Sequence, residues 1–351
     1  MKNHLLLLLS IILFFPSCDD TKIEVKHSST ETLSSYLDFS DRDDQYTGGI
    51  KMIPIETDQG TFNVWTKTVG NNPKIKVLLL HGGPGFTHEA FECFDGYFPQ
   101  EGIEYIYYDQ LGSYYSDQPD DTLLWTIPRF VEEVEQVRNA LGLTKENFFL
   151  YGQSWGGLLA MEYALKYQDN LKGLIISNMM SSIPQYEKYV KEVIAPTLPP
   201  EILAEIMEME SNMDFDNPRY MDLLYNYYYN EHILRAPLSE WPEPVARAFK
   251  HMNPNVYVYV QGYSEFGVTE NASSKYWDIT SELHRITVPT LTIGGKYDSM
   301  DPEHMRWISE EVTNGQFLLC PNGSHLSLYD DQKVYFDGLI SFIKQVASEK
   351  D

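Results

Sequence analysis

The stretch Asn147-Phe-Phe-Leu-Tyr-Gly-Gln-Ser-Trp-Gly-Gly157 constrains the fold of this chain more than any other. Phe148 to Tyr151 is a short apolar run with the length of a buried strand, and Leu158 to Tyr167 has helical character. Between them lies Gly152-Gln153-Ser154-Trp155-Gly156, which has the form G-x-S-x-G. A strand that turns into a helix so sharply lifts the serine side chain above the end of the sheet. The flanking glycines leave room where a Cβ would clash. The context predicts a nucleophile at Ser154; the milder alternative is a serine in an ordinary turn.

The rest of the chain repeats this strand-helix pattern. Gly49 to Glu56 and Thr61 to Thr68 are β-branched, alternating runs around Asp58-Gln59-Gly60, as in an antiparallel hairpin. Lys74 to Leu80 and Ile103 to Tyr108 are strands leading into His81-Gly-Gly-Pro-Gly85 and Asp109-Gln-Leu-Gly-Ser113. Apolar positions 127, 130, 131, 134, 137 and 141 follow helical spacing, with Thr126 as N-cap, Pro128 in the first turn and Gly142 as the stop. Strands at Leu171 to Ser177, Val288 to Gly294 and Gln316 to Leu319, with helices from Pro302 and over Gln332 to Val346, complete the pattern. The class is therefore α/β, a mostly parallel sheet with helices on both faces. Residues 181–282 interrupt it with a helical, tyrosine-crowded insertion, which predicts a cap between core segments 46–180 and 283–351. Ligands of such sheets bind beyond the carboxyl ends of the strands, where these polar and glycine-rich motifs fall.

Composition narrows the partners. The 351 residues, 43% hydrophobic, suffice for one large domain with an inserted subdomain. The formal charge is 26 − 51 = −25, which repels nucleic acid. Residues 1–18 have a positive start at Lys2 and a largely apolar run from Leu5 to Phe15, too short to span a bilayer and shaped like an export signal. The ending Phe15-Pro-Ser-Cys18 resembles the lipobox of bacterial lipoproteins, where the cysteine is lipidated. Both a lipoprotein signal and a plain cleaved signal place the protein outside the cytoplasm, in the periplasm or anchored to a membrane. Residues 19–45 read as a polar tether. Cys93 and Cys320 are left as a bridge or as two thiols, and no C-x-x-C or H-E-x-x-H supports a metal site.

A serine hydroxyl needs a base, and the base needs an orienting carboxylate. The strand ending at Gly294 runs into Gly295-Lys-Tyr-Asp298, and the next strand runs into Pro321-Asn-Gly-Ser-His325. Ser154, Asp298 and His325 thus stand in the order Ser, Asp, His. Asp301 is the reserve acid and competes as the helix cap before Pro302. For the oxyanion, one N–H is expected from Trp155 and the other from the His81–Gly85 loop, at Gly83 because Pro84 has no N–H.

These segments together resemble the proline iminopeptidase family of α/β-hydrolases, over about residues 46 to 346. The resemblance rests on His81-Gly-Gly-Pro-Gly85, Tyr108-Asp-Gln-Leu-Gly-Ser113 with Ser116-Asp117, Gly152-Gln-Ser-Trp-Gly-Gly157, Gly295-Lys-Tyr-Asp298 and Gly323-Ser-His325. Asn253-Pro-Asn-Val-Tyr257 and Gly262-Tyr-Ser-Glu-Phe266 extend it into the cap. It implies the α/β-hydrolase fold, no cofactor, and removal of an N-terminal residue, often proline, from short peptides with a free N-terminus. It also implies cap acids that hold the substrate ammonium, with Glu265 as first candidate and Glu231 as second; each could instead be a solvated side chain. The chain departs from the family pattern at Tyr114-Tyr115, where a glycine is expected, and that bulk is expected near the pocket mouth. The alternatives are an esterase or lactonase with the same triad, and a non-catalytic binding protein on the same scaffold.

Overall fold

The computed structural model describes residues 48–349; the expected export segment 1–18 with Cys18, and the expected tether 19–45, lie outside the described residues. The hairpin is β1 (Ile50–Thr57) and β2 (Gly60–Val69), followed by β3 (Lys76–Leu80) and β4 (Glu104–Asp109). Helix α1 (Ile127–Ala140) leads to β5 (Phe148–Gln153), α2 (Trp155–Tyr167) and β6 (Gly173–Ser177). After the insertion come β7 (Thr290–Gly295), a helix over Pro302–Glu311, β8 (Gly315–Cys320) and the closing helix Gln332–Ser348.

The eight strands form one sheet in the order β1-β2-β4-β3-β5-β6-β7-β8. The pairs β1-β2 and β2-β4 are antiparallel, and every pair from β4 onward is parallel. Every residue of β4, β5, β6 and β7 is buried, because helices cover both faces. Phe148, Phe149, Leu150 and Tyr151 are each fully buried. At about 1.5–3 kcal/mol per large apolar side chain, a one-residue slip of β5 would forfeit much of that burial. This fixes the height at which Ser154 leaves the sheet.

Helix α1 buries Phe130, Val131, Val134 and Val137 on one face, as the spacing requires. Its end follows from Gly142, which adopts the left-handed φ of +61°. Its start differs from expectation: Thr126 has the extended backbone of an N-cap, but its side chain makes no capping bond. Pro128 lessens the need, since its missing N–H removes one of the orphan donors. Asp301 does cap the helix that follows β7, accepting from Glu303 N at 2.9 Å.

Between β6 and β7 the chain is helical: α3 (Ile183–Tyr189), α4 (Pro200–Ser211), α5 (Pro218–Leu224), α6 (Glu243–His251) and α7 (Pro254–Val260). Two π-helical turns, Val190–Ile194 and Tyr225–Tyr229, interrupt the regular spacing. The second presents Tyr225, Tyr228 and Tyr229 to the same cavity, an irregularity common where a helix serves a site. Among the described residues Cys93 and Cys320 are free thiols.

Candidate active site

Strand pairing assembles the site. Leu80 of β3 is opposite Gly152 of β5, so the glycine loop and the serine turn leave the sheet side by side. Gly295 of β7 is opposite Cys320 of β8, which brings together the loops carrying Asp298 and His325. Ser154 sits at φ +54°, a region that L-residues avoid at a cost of about 1–3 kcal/mol. The turn closes only on glycine. A Cβ on Gly152 would lie 2.0 Å from the Gly156 carbonyl oxygen, and one on Gly156 would lie 2.1 Å from that of Leu80.

Asp298 is fully buried, and its Oδ1 accepts from His325 Nδ1 at 2.8 Å and from Met300 N at 3.0 Å. Its Oδ2 accepts from Asn178 Nδ2 at 2.6 Å. Asn178 follows β6 with a φ of +53° and was not evident as a site residue in the sequence. Because Nδ1–H donates to the carboxylate, Nε2 carries the lone pair. Ser154, Gly83 and His325 line one cavity of about 420 Å³. Asp301, occupied as a helix cap, is not the partner of His325.

Trp155 begins α2, whose positive dipole end faces the region above Ser154. Gly83 adopts φ +104°, and a Cβ there would lie 2.7 Å from Phe86 N. One side chain joins these two segments. Gln110 Nε2 donates to the His81 carbonyl at 3.1 Å, while its Oε1 accepts from the Trp155 indole at 2.9 Å. The Gln110 N–H also donates to His81 Nε2 at 3.1 Å. Burial drives the His81 pKa down to about 4, so the ring stays neutral and can accept that bond.

The cavity roof comes from the insertion. Glu265 faces it, with Tyr257 OH donating to Oε1 at 2.9 Å and Tyr229 supplying a second hydroxyl. Burial pushes the Glu265 carboxyl above its ordinary range, the two hydroxyls pull it down, and the nearby Glu210 pushes it up again. Burial also holds the Tyr257 and Tyr229 phenols protonated, so toward the carboxylate they act as donors. Glu210 accepts from Tyr220 OH at 2.8 Å and from Ser264 Oγ at 2.9 Å. Asp216 lines the outer cavity. Gln110 stands in the Tyr108–Ser113 motif, which gave it no role of its own, and no spacing or motif singled out Glu210 or Asp216.

Two expectations fail on geometry. Glu231 is exposed on a one-turn helix and is not among the cavity-lining residues; the inward side of that turn is taken by buried His232. Tyr114 and Tyr115 do not line the cavity either. Tyr114 stacks on His251 at 4.1 Å, and Tyr115 packs on Trp65 and His88 at 5.3 and 5.7 Å.

A buried aspartate bonded to a part-buried imidazole, which shares a cavity with a strained serine on a mostly parallel sheet with a helical insertion, defines the α/β-hydrolase class. Residues 76–332 match the alpha/beta hydrolase fold family. Similar relatives include proline iminopeptidases from Flavobacterium johnsoniae (58% identity, 85% of this chain and 99% of the relative) and Elizabethkingia meningoseptica (58%, 84% and 98%). A third, from Chitinophaga pinensis, is 53% identical over 84% of this chain and 98% of the relative. At this similarity the chain belongs to the proline iminopeptidase family of α/β-hydrolases. Solved structures agree on the fold: VinJ superposes with a TM-score of 0.77 at 25% identity, covering 84% of this chain and 99% of that one. The proline iminopeptidase of Mycobacterium smegmatis gives 0.75 at 24% identity, covering 85% and 98%.

Proposed function

We propose that this protein is a serine aminopeptidase that releases an N-terminal residue, preferably proline, from short peptides through an acyl-enzyme. The observation that carries this reading is the half-buried carboxylate of Glu265 in the same cavity as Ser154 and His325. An ammonium removed from bulk water requires a counter-charge, and a carboxylate whose ordinary solvation is lost gains most from supplying one. An esterase on the same triad has no use for that arrangement.

In the proposed cycle Glu265 holds the substrate amine and orients the first carbonyl over Ser154. His325 Nε2 takes the hydroxyl proton as Oγ bonds to the carbonyl carbon, and Asp298 stabilises the imidazolium. The N–H groups of Gly83 and Trp155 receive the oxyanion, a contribution worth roughly 10²–10³ in rate per donor. Collapse of the tetrahedral species breaks the C–N bond, and His325 gives its proton to the departing amine. Water then enters, loses a proton to His325 and cleaves the ester, returning Ser154 and the free amino acid. The original serine proton leaves on the amine, the water proton passes through His325 to Ser154 Oγ, and the water hydroxyl stays on the released acid, so both side chains end as they began.

The test is a substrate panel: a free-amine prolyl arylamide, its N-blocked counterpart, other aminoacyl arylamides and a short-chain nitrophenyl ester. The expected result is efficient turnover of the free-amine prolyl compound and little of the blocked one. Equal turnover of the two overturns the aminopeptidase reading. Residues 1–18 are proposed to direct export with lipidation at Cys18, on the lipobox-like sequence. Fatty-acid label should enter the wild-type protein and not Cys18→Ser; equal labelling removes that assignment.

A further inference from the structure

The backbone of His325 is held from two sides. Its carbonyl accepts from Gln153 Nε2, in the serine turn, at 3.2 Å. Its N–H donates to the carbonyl of His232, in the insertion, at 3.0 Å. The next cap residue continues the contact: the Ile233 carbonyl accepts from Leu326 N at 2.8 Å and from Ser324 Oγ at 2.9 Å. The same segment grips the other loop of the relay. His232 Nδ1 donates to the carbonyl of Tyr297, the residue before Asp298, at 2.9 Å. Arg235 lies 3.7 Å over the Tyr297 ring, and its Nη1 donates to the Asn322 carbonyl at 3.3 Å.

The His232 ring is suited to this task. It is 8% exposed, and burial lowers its pKa, which keeps it neutral. A carbonyl can only accept, so the proton sits on Nδ1, and Nε2 is left facing the Thr197 hydroxyl at 3.2 Å. One turn earlier in the same helical segment, Tyr228 and Tyr229 line the cavity. The segment that presents part of the roof therefore also touches both loops of the acid–base pair.

We propose that His232 is a positioning residue for the proton relay: cap segment 232–235 fixes the Asp298 loop and the His325 loop relative to one another. The cap is then part of the catalytic frame as well as its cover. This rests on the serine-hydrolase reading above, and it does not depend on the preference for free amines.

The experiment compares His232→Leu, His232→Asn and Arg235→Ala with wild type, on the prolyl arylamide and on the nitrophenyl ester, with circular dichroism and Tm for each. His232→Leu is expected to lower kcat by about 10- to 100-fold on both substrates with KM nearly unchanged, the scale of a reacting group misplaced by a fraction of an ångström to 1 Å. Asparagine can return an N–H near the Nδ1 position, and His232→Asn should recover most of the loss. Unchanged kcat in folded His232→Leu, or a loss confined to KM for the free-amine substrate, overturns the proposal. Should the leucine variant not fold, Arg235→Ala decides: kcat unchanged on both substrates in a folded Arg235→Ala overturns the proposal, and a loss on both supports it. The ester separates the two readings. Loss of ester turnover in His232→Leu, with no arylamide turnover in wild type, leaves the positioning role standing and removes the aminopeptidase.

Discussion

The sheet core and the helical insertion solve different problems. In the core, reactive groups sit at strand ends whose register is fixed by burial, so Ser154, Asp298 and His325 are placed by strands that cannot slip. In the insertion, Glu265 sits between tyrosines delivered by helix α7 and a π-turn, and its environment is made by packing between them. On the proposed reading the core sets the reacting groups by strand register, with cap segment 232–235 steadying two of its loops, and the cap supplies recognition through long-range contact. A fold divided this way can keep one reaction while its selectivity changes.

The largest expected effect belongs to the core. Ser154→Ala should reduce turnover of amide and ester alike by roughly 10⁴-fold or more, as loss of a nucleophile does in triad enzymes. Residual turnover within about 10-fold of wild type would break the comparison at its first term. Next comes the cap. Glu265→Gln should lower kcat/KM for the free-amine prolyl arylamide by about 100-fold, the scale of leaving a buried charge without its partner. Ester turnover should change little; equal losses would make Glu265 a structural residue.

A smaller effect is expected from the bridge between the oxyanion segments. Gln110→Met and Trp155→Phe each remove the 2.9 Å bond between Gln110 and the indole. Each should lower kcat about 10-fold on both substrates, less than outright loss of an oxyanion donor. The double variant should lose little more than either single one, since both break the same contact. Full additivity would mean that the two residues act separately.

The smallest prediction concerns stability. Burial raises the Glu265 carboxyl pKa in the folded state, so the folded protein binds that proton more readily than the unfolded chain does. Ionisation at neutral pH therefore costs stability, and the cost disappears as pH falls below the unfolded carboxyl range. Glu265→Gln should raise Tm slightly at neutral pH. The gain should shrink toward pH 4. A gain independent of pH would assign it to something other than the carboxylate.

The same division explains what the sequence disclosed. The strands, the serine turn and the Asp298 and His325 loops were legible because each depends on a few adjacent residues: glycines that admit no Cβ, and apolar runs of strand length. Asn178, Gln110 and Glu210 were not, since each gains its role from a residue far away in the chain. Glu231 was misjudged for the same reason. Whether a short helix lends a residue to the cavity depends on packing, and there Glu231 is exposed while His232 is buried against Tyr297 and Thr197. Tyr114 and Tyr115 were expected near the pocket mouth; they do not line the cavity, and their rings pack on His251, Trp65 and His88.

The union of these two regions at one cavity is tested most directly by a crystal structure of Ser154→Ala with a proline-headed dipeptide bound. The account predicts the substrate nitrogen within about 2.7–3.2 Å of a Glu265 carboxylate oxygen, with the first carbonyl carbon beside residue 154. A dipeptide whose amine points to solvent or to Asp216, with Glu265 still bonded only to Tyr257 and Tyr229, would contradict it.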